Sequence, residues 1–418
     1  MNLNEYQHEF NELINRQSFS ADSYPNRKDL FSKFLDSGLP TKKWEDWRHT
    51  DLSFLKNTNF RVSELIDAQV NLVDISKYKI ANTHTIIIVN GHYKEANSDL
   101  PKEIKVSINS EGNDWKPKNK KETPFELLNA SLTNSSITIL TEPNTSIKKP
   151  IHILFLCTGK SNLMINPQVN INISHSSSAT IIEQYVSGTS SFFQNTSVYA
   201  SIEKNSLLNH VRIHSNSDDT ADISNLHLTQ SDDSTYNYFQ LVDSGALQRS
   251  DIYTELIGKN ATCSLSGLTL LDGKQHSATY IISDHLMPRC MSSQKFKSVL
   301  NGSSSAVFNG RTIVREDSQK TDSNQSNKNL LLSDKATMNS NPQLEIYADD
   351  VKCAHGSTTG ALDSEALFYM QSRGINKKDA TSLLIRGFIS ELINDIQSED
   401  LKHYLFRKFD KWLLNNNR

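Results

Sequence analysis

From about Ser136 to about Cys353 the chain repeats one texture. Short alternating runs, among them SSITIL, QVNINISH, LLNHVRIH, TYNYFQLV and ATYIISDHL, are separated by clusters of Ser, Asn, Asp and Gly. Alternation with a period of two is strand spacing, and the clusters carry turn chemistry. Helical periodicity is absent across the whole stretch. A single long series of short, evenly punctuated strands fits a β-solenoid, a barrel or a large sandwich. Tight hairpin signals within it are rare, with Asn-Gly at Asn301-Gly302 and Asn309-Gly310. Few hairpins and regular spacing favour a right-handed parallel β-helix, whose neighbouring strands are joined by crossovers rather than two-residue turns. The polar segment REDSQKTDSNQSNKNLLLSD reads as a solvated loop or an edge.

Helices flank this region. EYQHEFNELINRQ and NRKDLFSKFLDSG place apolar residues at intervals of three and four, and Gly38 supplies a left-handed cap for the second. Trp44 and Trp47 follow in LPTKKWEDWRHTDL and are expected to pack onto the body of the protein. Strand-like THTIIIVNG and IKVSI and a short helix-like TPFELLNASL connect to the repeat. After it, Asp363 or Ser364 can cap SEALFYMQSR with Gly374 ending it, Asn376 can cap KKDATSLLIRGFISELINDI, and Ser398 can cap EDLKHYLFRKFDKWLL. In the middle helix Leu383, Ile385, Ile389, Ile393 and Ile396 widen the stripe of Ala380, Leu384, Phe388 and Leu392. Such a width serves either two surfaces of this chain or one of its own and one of a partner. The expected organisation is a helical unit over 1–80, connecting strands and a short helix over 81–135, the β-helix over 136–360 and a C-terminal helical unit over 361–418.

Composition removes several function classes. A net charge of -3 over 418 residues gives no general attraction to nucleic acid or to an anionic membrane surface. No apolar run approaches the ~20 residues that span a bilayer. The polar, acidic start MNLNEYQHEFNELI is unlike a signal peptide, so the chain is expected in the cytoplasm. CTGKS at 157–161 imitates a phosphate loop, but Leu154 stands where a glycine is needed and a strand pattern follows instead of a helix. The chain is therefore expected to lack a nucleotide site and not to hydrolyse ATP. The pairs Asp218-Asp219, Asp232-Asp233 and Asp349-Asp350 are adjacent, which on a strand aims them at opposite faces; they read as turn residues.

The four cysteines, Cys157, Cys263, Cys290 and Cys353, are far apart and form no C-x-x-C, so neither a disulfide framework nor a zinc knuckle is indicated. A complete cysteine set for an iron-sulfur cluster is missing too, so any cluster held here needs histidine, a small molecule or another chain. Cys353 and His355, in KCAHG, stand at strand spacing and share a face. They are either cluster or metal ligands, or a buried thiol beside a hydrogen-bonded histidine. Further histidines at His175, His210, His214, His227, His276 and His285 leave open a weak metal route along one face of the repeat.

LPTKKWEDWRHTDL, FNGRTIVREDSQKTDSNQSNKNLLLSDKA, NPQLEIYADDVKCAHGSTTGALDSEALFYMQSRGI and DATSLLIRGFISELI together resemble the SufB/SufD family of iron-sulfur cluster assembly proteins, on its SufD-like side. The resemblance implies a right-handed parallel β-helix flanked by helical domains. It implies a scaffold rather than an enzyme, paired with a SufB-like paralogue and with a SufC-like ABC ATPase that hydrolyses the ATP. It places His355 at the interface between paralogues, near a transient iron-sulfur cluster shared with the partner, with Cys353 as the weaker ligand candidate. It assigns ATPase docking to the C-terminal helices, here Leu383, Leu384, Ile385, Phe388, Ile389 and Leu392. A homodimer is a second assembly it allows, and whether reduced flavin binds the complex stays open, with no motif here that supports it. SufB-like chains carry a cysteine in a Cys-Gly-Ala-His-Thr segment, whereas LLLSDKATMNSNPQLE has none, so this chain would supply half of a site. Ala354, where many relatives have serine, falls on the opposite strand face. The competing reading is a carbohydrate-active β-helix enzyme of the polysaccharide-lyase kind, which needs clustered acids on one face and a secreted habit.

Overall fold

A computed structural model describes residues 1–16, 23–68, 75–96, 100–109, 122–133 and 135–416. The alternating texture is strand throughout, and successive strands go to two different sheets. One sheet runs from Ser136–Thr141 and Gln168–Ile173 to Ser305–Val314 and Thr337–Ile346. The other runs from Ile151–Cys157 and Ser178–Ser187 to Asp322–Leu331 and Lys352–Gly360. Within each sheet these neighbours are parallel and in register, so that Leu207, Thr235, Thr262, Met291, Asp322 and Lys352 occupy successive rungs. The result is a parallel β-solenoid core of about eight turns.

The stacking begins earlier than the expected boundary at 136. His84–Val89, in the segment read as connecting, is already parallel to Ile151–Cys157. At this end the stack finishes in antiparallel strands, His92–Ala96 on His84–Val89 and Ile104–Asn109 on Ser136–Thr141. The hairpin joining the first pair turns through Asn90 and Gly91, both at positive φ of 49° and 83°, the left-handed region that Asn and Gly enter most readily.

The described residues form seven α-helices before and after the stacked strands or between them: α1 (Leu3–Arg16), α2 (Ser23–Ser37), α3 (Ser53–Asn57), α4 (Pro124–Leu132), α5 (Ser364–Ser372), α6 (Lys377–Asn394) and α7 (Glu399–Asn416). The expected caps are in place. Asp363 accepts from the N–H groups of Glu365 and Ala366, Asn376 from Asp379 and Ser398 from Leu401. Gly38 and Gly374, at φ of 63° and 85°, end α2 and α5. Trp47 is buried, and the Arg249 guanidinium lies 3.6 Å from its ring centroid and 3.9 Å from that of Tyr280 while donating to the Asp46 carbonyl. That cation–π sandwich fastens the N-terminal arm to the solenoid. Trp44 does not follow Trp47 inward and is 40% exposed.

The interior changes character along the stack. At the N-terminal end Ile86, Ile137, Ile153, Val169 and Ile171 close a dry core. In the middle, Arg212 donates to Glu183 at 2.7 Å and to the Tyr185 hydroxyl at 2.9 Å, all three being fully buried. Toward the C-terminal end the inward positions become Gln294, Ser323, Gln325, Asn327 and Asn329, all buried. The segment read as a solvated loop or an edge is therefore, over Asp322–Leu331, an interior strand. Its polar side chains are tolerated because they bond one another and their neighbours: Gln325 with Thr312 at 2.7 Å, Ser323 with Ser292 at 2.9 Å, Asn329 with Asn327 at 2.7 Å.

Candidate functional site

The last turn of the solenoid is open. Thr337–Ile346 and Lys352–Gly360 are the terminal strands of their sheets, and no described strand lies beyond either. Register fixes what they present. Cys353, His355, Ser357 and Thr359 stand above Ser323, Gln325, Asn327 and Asn329, so they face the interior of the coil. Yet His355, Ser357 and Thr359 are exposed and Cys353 only half-buried, because no further turn covers them. The backbone alternates with the same period. The Lys352 N–H donates to the Thr321 carbonyl at 2.8 Å, which in a parallel ladder leaves the N–H and C=O of Cys353, His355, Ser357 and Thr359 on the open side. The two candidate ligands, Cys353 and His355, thus stand on the same strand edge as the backbone groups that face the open side. Ser357 donates to Ser340 at 2.8 Å and ties the two open strands together. Pro342 sits in the other open strand, a position where a missing N–H is tolerated.

The chemistry of the pair is uneven. No described residue hydrogen-bonds or ion-pairs with the His355 ring, so this imidazole is not a satisfied structural histidine. The Cys353 thiol is pushed up by burial, with the Ser323 backbone opposing and Asp322 adding to it. Since the thiolate is the form that binds metal, that disfavours Cys353 as the leading ligand. Among the described residues no group of three or more His, Cys, Asp or Glu is arranged to hold a metal ion. One free imidazole and one reluctant thiol make an incomplete donor set.

The remaining candidates disperse. Cys157, Cys263 and Cys290 are buried free thiols, and burial pushes Cys263 up to about 12. The histidines do not line one face, which removes the metal route along the repeat. His210, His214 and His285 point inward to bonded positions beside Tyr236, Asp222 and Ser292. His227 and His276 point outward, to Glu126 and to Thr50. The backbone N–H of His175, in a turn, donates to Glu203. CTGKS leads into the short strand Leu163–Ile165 rather than a helix, so it has no phosphate-loop geometry. The acid pairs lie in turns, as Asp233 at φ 56° illustrates, and give a carbohydrate-active centre no convergent carboxylates.

The six docking candidates on α6 divide. Ile385, Ile389 and Leu392 are buried against Val211, Phe239 and Leu268 of the chain's own sheet, with Phe388 half-buried beside them. Leu384 is half-buried, and Leu383 alone is exposed. The wide apolar surface is thus spent mostly within the chain. Lys297 reinforces this packing by donating to the Phe388 carbonyl and to Glu391, each at 2.7 Å. Sequence reading assigned α5 its caps but no docking residues, yet this helix has no buried residue and exposes Phe368 (73%) and Tyr369 (59%). The signal was the run LFYM, in which neighbouring apolar residues cannot all share one helix face. α5 follows the His355 strand after only Ala361, Leu362 and Asp363.

Comparison with known proteins agrees with this architecture. Residues 155–388 match the family model described as SUF system FeS cluster assembly, SufBD core domain, and residues 2–114 match that of the SufBD protein N-terminal region. The chain is 29% identical to the iron-sulfur cluster assembly protein SufD of Escherichia coli over 93% of each chain. It is 28% identical to an iron-sulfur cluster assembly SufBD family protein of Synechocystis, over 93% of this chain and 89% of that one. It is 27% identical to the chloroplastic protein ABCI7 of Arabidopsis thaliana, over 88% of this chain and 81% of that one.

Proposed function

The chain belongs to the SufBD family of the SUF iron-sulfur cluster assembly system, and from that premise we propose that it is a non-catalytic scaffold subunit whose open solenoid end forms half of a cluster-building site. A SufB-like paralogue pairs with the open strands and supplies the missing ligands, while a SufC-like ABC ATPase grips the C-terminal helices and hydrolyses the ATP. The cluster is cargo shared across the interface. The observation that carries this reading is the coincidence on Lys352–Gly360 of unpaired backbone groups and a free His355 imidazole. A neutral imidazole is a competent iron ligand, and a cluster with incomplete thiolate ligation passes on more easily than a fully thiolate-bound one.

This chain's own residues do three things in such a site. The backbone of Cys353, His355, Ser357 and Thr359 offers the partner a row of donors and acceptors. The polar layer of Gln325, Asn327 and Asn329 lets the coil end stand open without exposing a dry core. The short link from Gly360 to α5 connects the ligand strand to Phe368, Tyr369 and Leu383, the apolar side chains left for the ATPase. The chain works in the compartment where these partners are, taken to be the cytoplasm; no described helix is long and apolar enough to cross a membrane.

Pairing is tested with Ser357→Pro. The lost N–H points to the open side, so the chain's own ladder stays intact while strand addition is blocked. Co-purification with the paralogue is expected to fall at least tenfold with the melting temperature nearly unchanged, and Ser357→Ala is expected to keep the partner. Retention of the paralogue by a folded Ser357→Pro chain would place the interface elsewhere.

A further inference from the structure

α6 and α7 cover only the second half of the strands in the Lys352–Gly360 sheet. Where the uncovered half meets the connection between the two helices lies a groove of about 560 Å³. Its floor is a column of small polar side chains, Thr180, Asn209, Asn237, Ser264 and Ser293, which register places on consecutive rungs. The column is already ordered: Asn237 donates to Asn209 at 3.0 Å and Asn209 to Thr180 at 3.4 Å. Four rung spacings cover about 19 Å, the reach of about six extended residues. One wall is an apolar socket formed by Val211, Phe239, Leu392, Ile396 and Leu401.

Charge selects the occupant. Lys148, Lys149 and Lys295 stand on the rim, and among the described residues none of their ammonium groups has an ion pair or a hydrogen bond. Two carboxylates share the rim with these lysines, leaving an excess of one positive charge: Asp400 accepts from Asn82 at 2.7 Å, and Asp395, at the C-cap of α6, is exposed with no side-chain partner among the described residues. The aromatic residues of the lining, Tyr238 and Phe239, are buried, so no open ring face awaits a stacked base. We propose that this groove binds a short, extended, acidic peptide segment of a partner protein, with one aliphatic side chain in the socket and carboxylates against the three lysines.

The test pans a random 12-residue display library against the full chain and measures the selected peptides by fluorescence anisotropy. The selected sequences are expected to carry acidic residues around a central aliphatic one. Their affinity is expected to drop at least tenfold with Lys148→Glu/Lys149→Glu, to drop similarly with Asn237→Phe, and to weaken between 50 and 500 mM salt in proportion to the screening of exposed charges. Both variants alter exposed side chains, and an unchanged melting temperature keeps a loss of binding distinct from a loss of fold. Selection without an acidic consensus, or selected peptides that bind both variants as they bind the parent chain, overturns the proposal.

Discussion

Glu183 and Arg212 put an ion pair in the interior of the solenoid, between its dry N-terminal rungs and its polar C-terminal ones. Breaking such a pair costs more than replacing it, because the surviving charge is left buried without a partner. Arg212→Met is therefore predicted to lose roughly 3–5 kcal/mol in urea denaturation, and Glu183→Gln combined with Arg212→Met to recover most of that loss. The pair also predicts acid behaviour. Burial alone would raise the Glu183 carboxyl, but Arg212 and His210 outweigh it and hold the group down to about 2, against an ordinary 4.5. A depressed carboxylate stabilises the fold fully above its unfolded value and loses that contribution as pH falls from about 4.5 toward 2. His285 adds an earlier step, since burial pushes it down to about 4 and its neutral state favours folding fully only above its ordinary 6.5. Melting temperatures are predicted to fall between pH 6.5 and 4 and again below 4.5, with the second fall smaller in the Glu183→Gln/Arg212→Met variant.

α5 and α6 predict opposite responses to substitution. Ile385→Ala removes a side chain buried among Val211, Phe239 and Leu268 and is predicted to cost about 2–5 kcal/mol of stability. Phe368→Ser with Leu383→Ser alters exposed side chains, and is predicted to leave stability within about 0.5 kcal/mol while most of the ATPase is lost in co-purification. Element types were largely legible, because period-two alternation, Asn376 and Asp363 as caps and Gly374 as a terminator are local signals. The strand Asp322–Leu331 was not. Its inward side is Ser, Gln and Asn, and only the rungs above and below reveal that these side chains bond to one another and to their neighbours. The division of α6 was hidden for a related reason: an apolar stripe shows that something is covered, not which body covers it. For the site, Cys353 and His355 were legible as a pair on one face, whereas the absence of a covering turn and of any partner for the His355 ring is a fact of the stack.

For the whole molecule, the two ends of the solenoid are built differently. The N-terminal end stops in antiparallel strands over an apolar core, and the C-terminal end stops in mid-ladder over a polar one, with both candidate ligands facing out of it. Such a molecule is complete as a fold and incomplete as a site. In the function proposed above, the paralogue takes the open end, the ATPase the adjoining helices and the cargo the seam between them. The most direct measurement is iron and acid-labile sulfide in the complex purified anaerobically with its paralogue and ATPase, comparing the parent chain with His355→Ala and Cys353→Ala. An intact complex whose iron and sulfide fall at least fivefold in His355→Ala, and less in Cys353→Ala, is the predicted result. Unchanged iron and sulfide in an intact His355→Ala complex would contradict the account, leaving the open end as an interface with no part in holding the cluster.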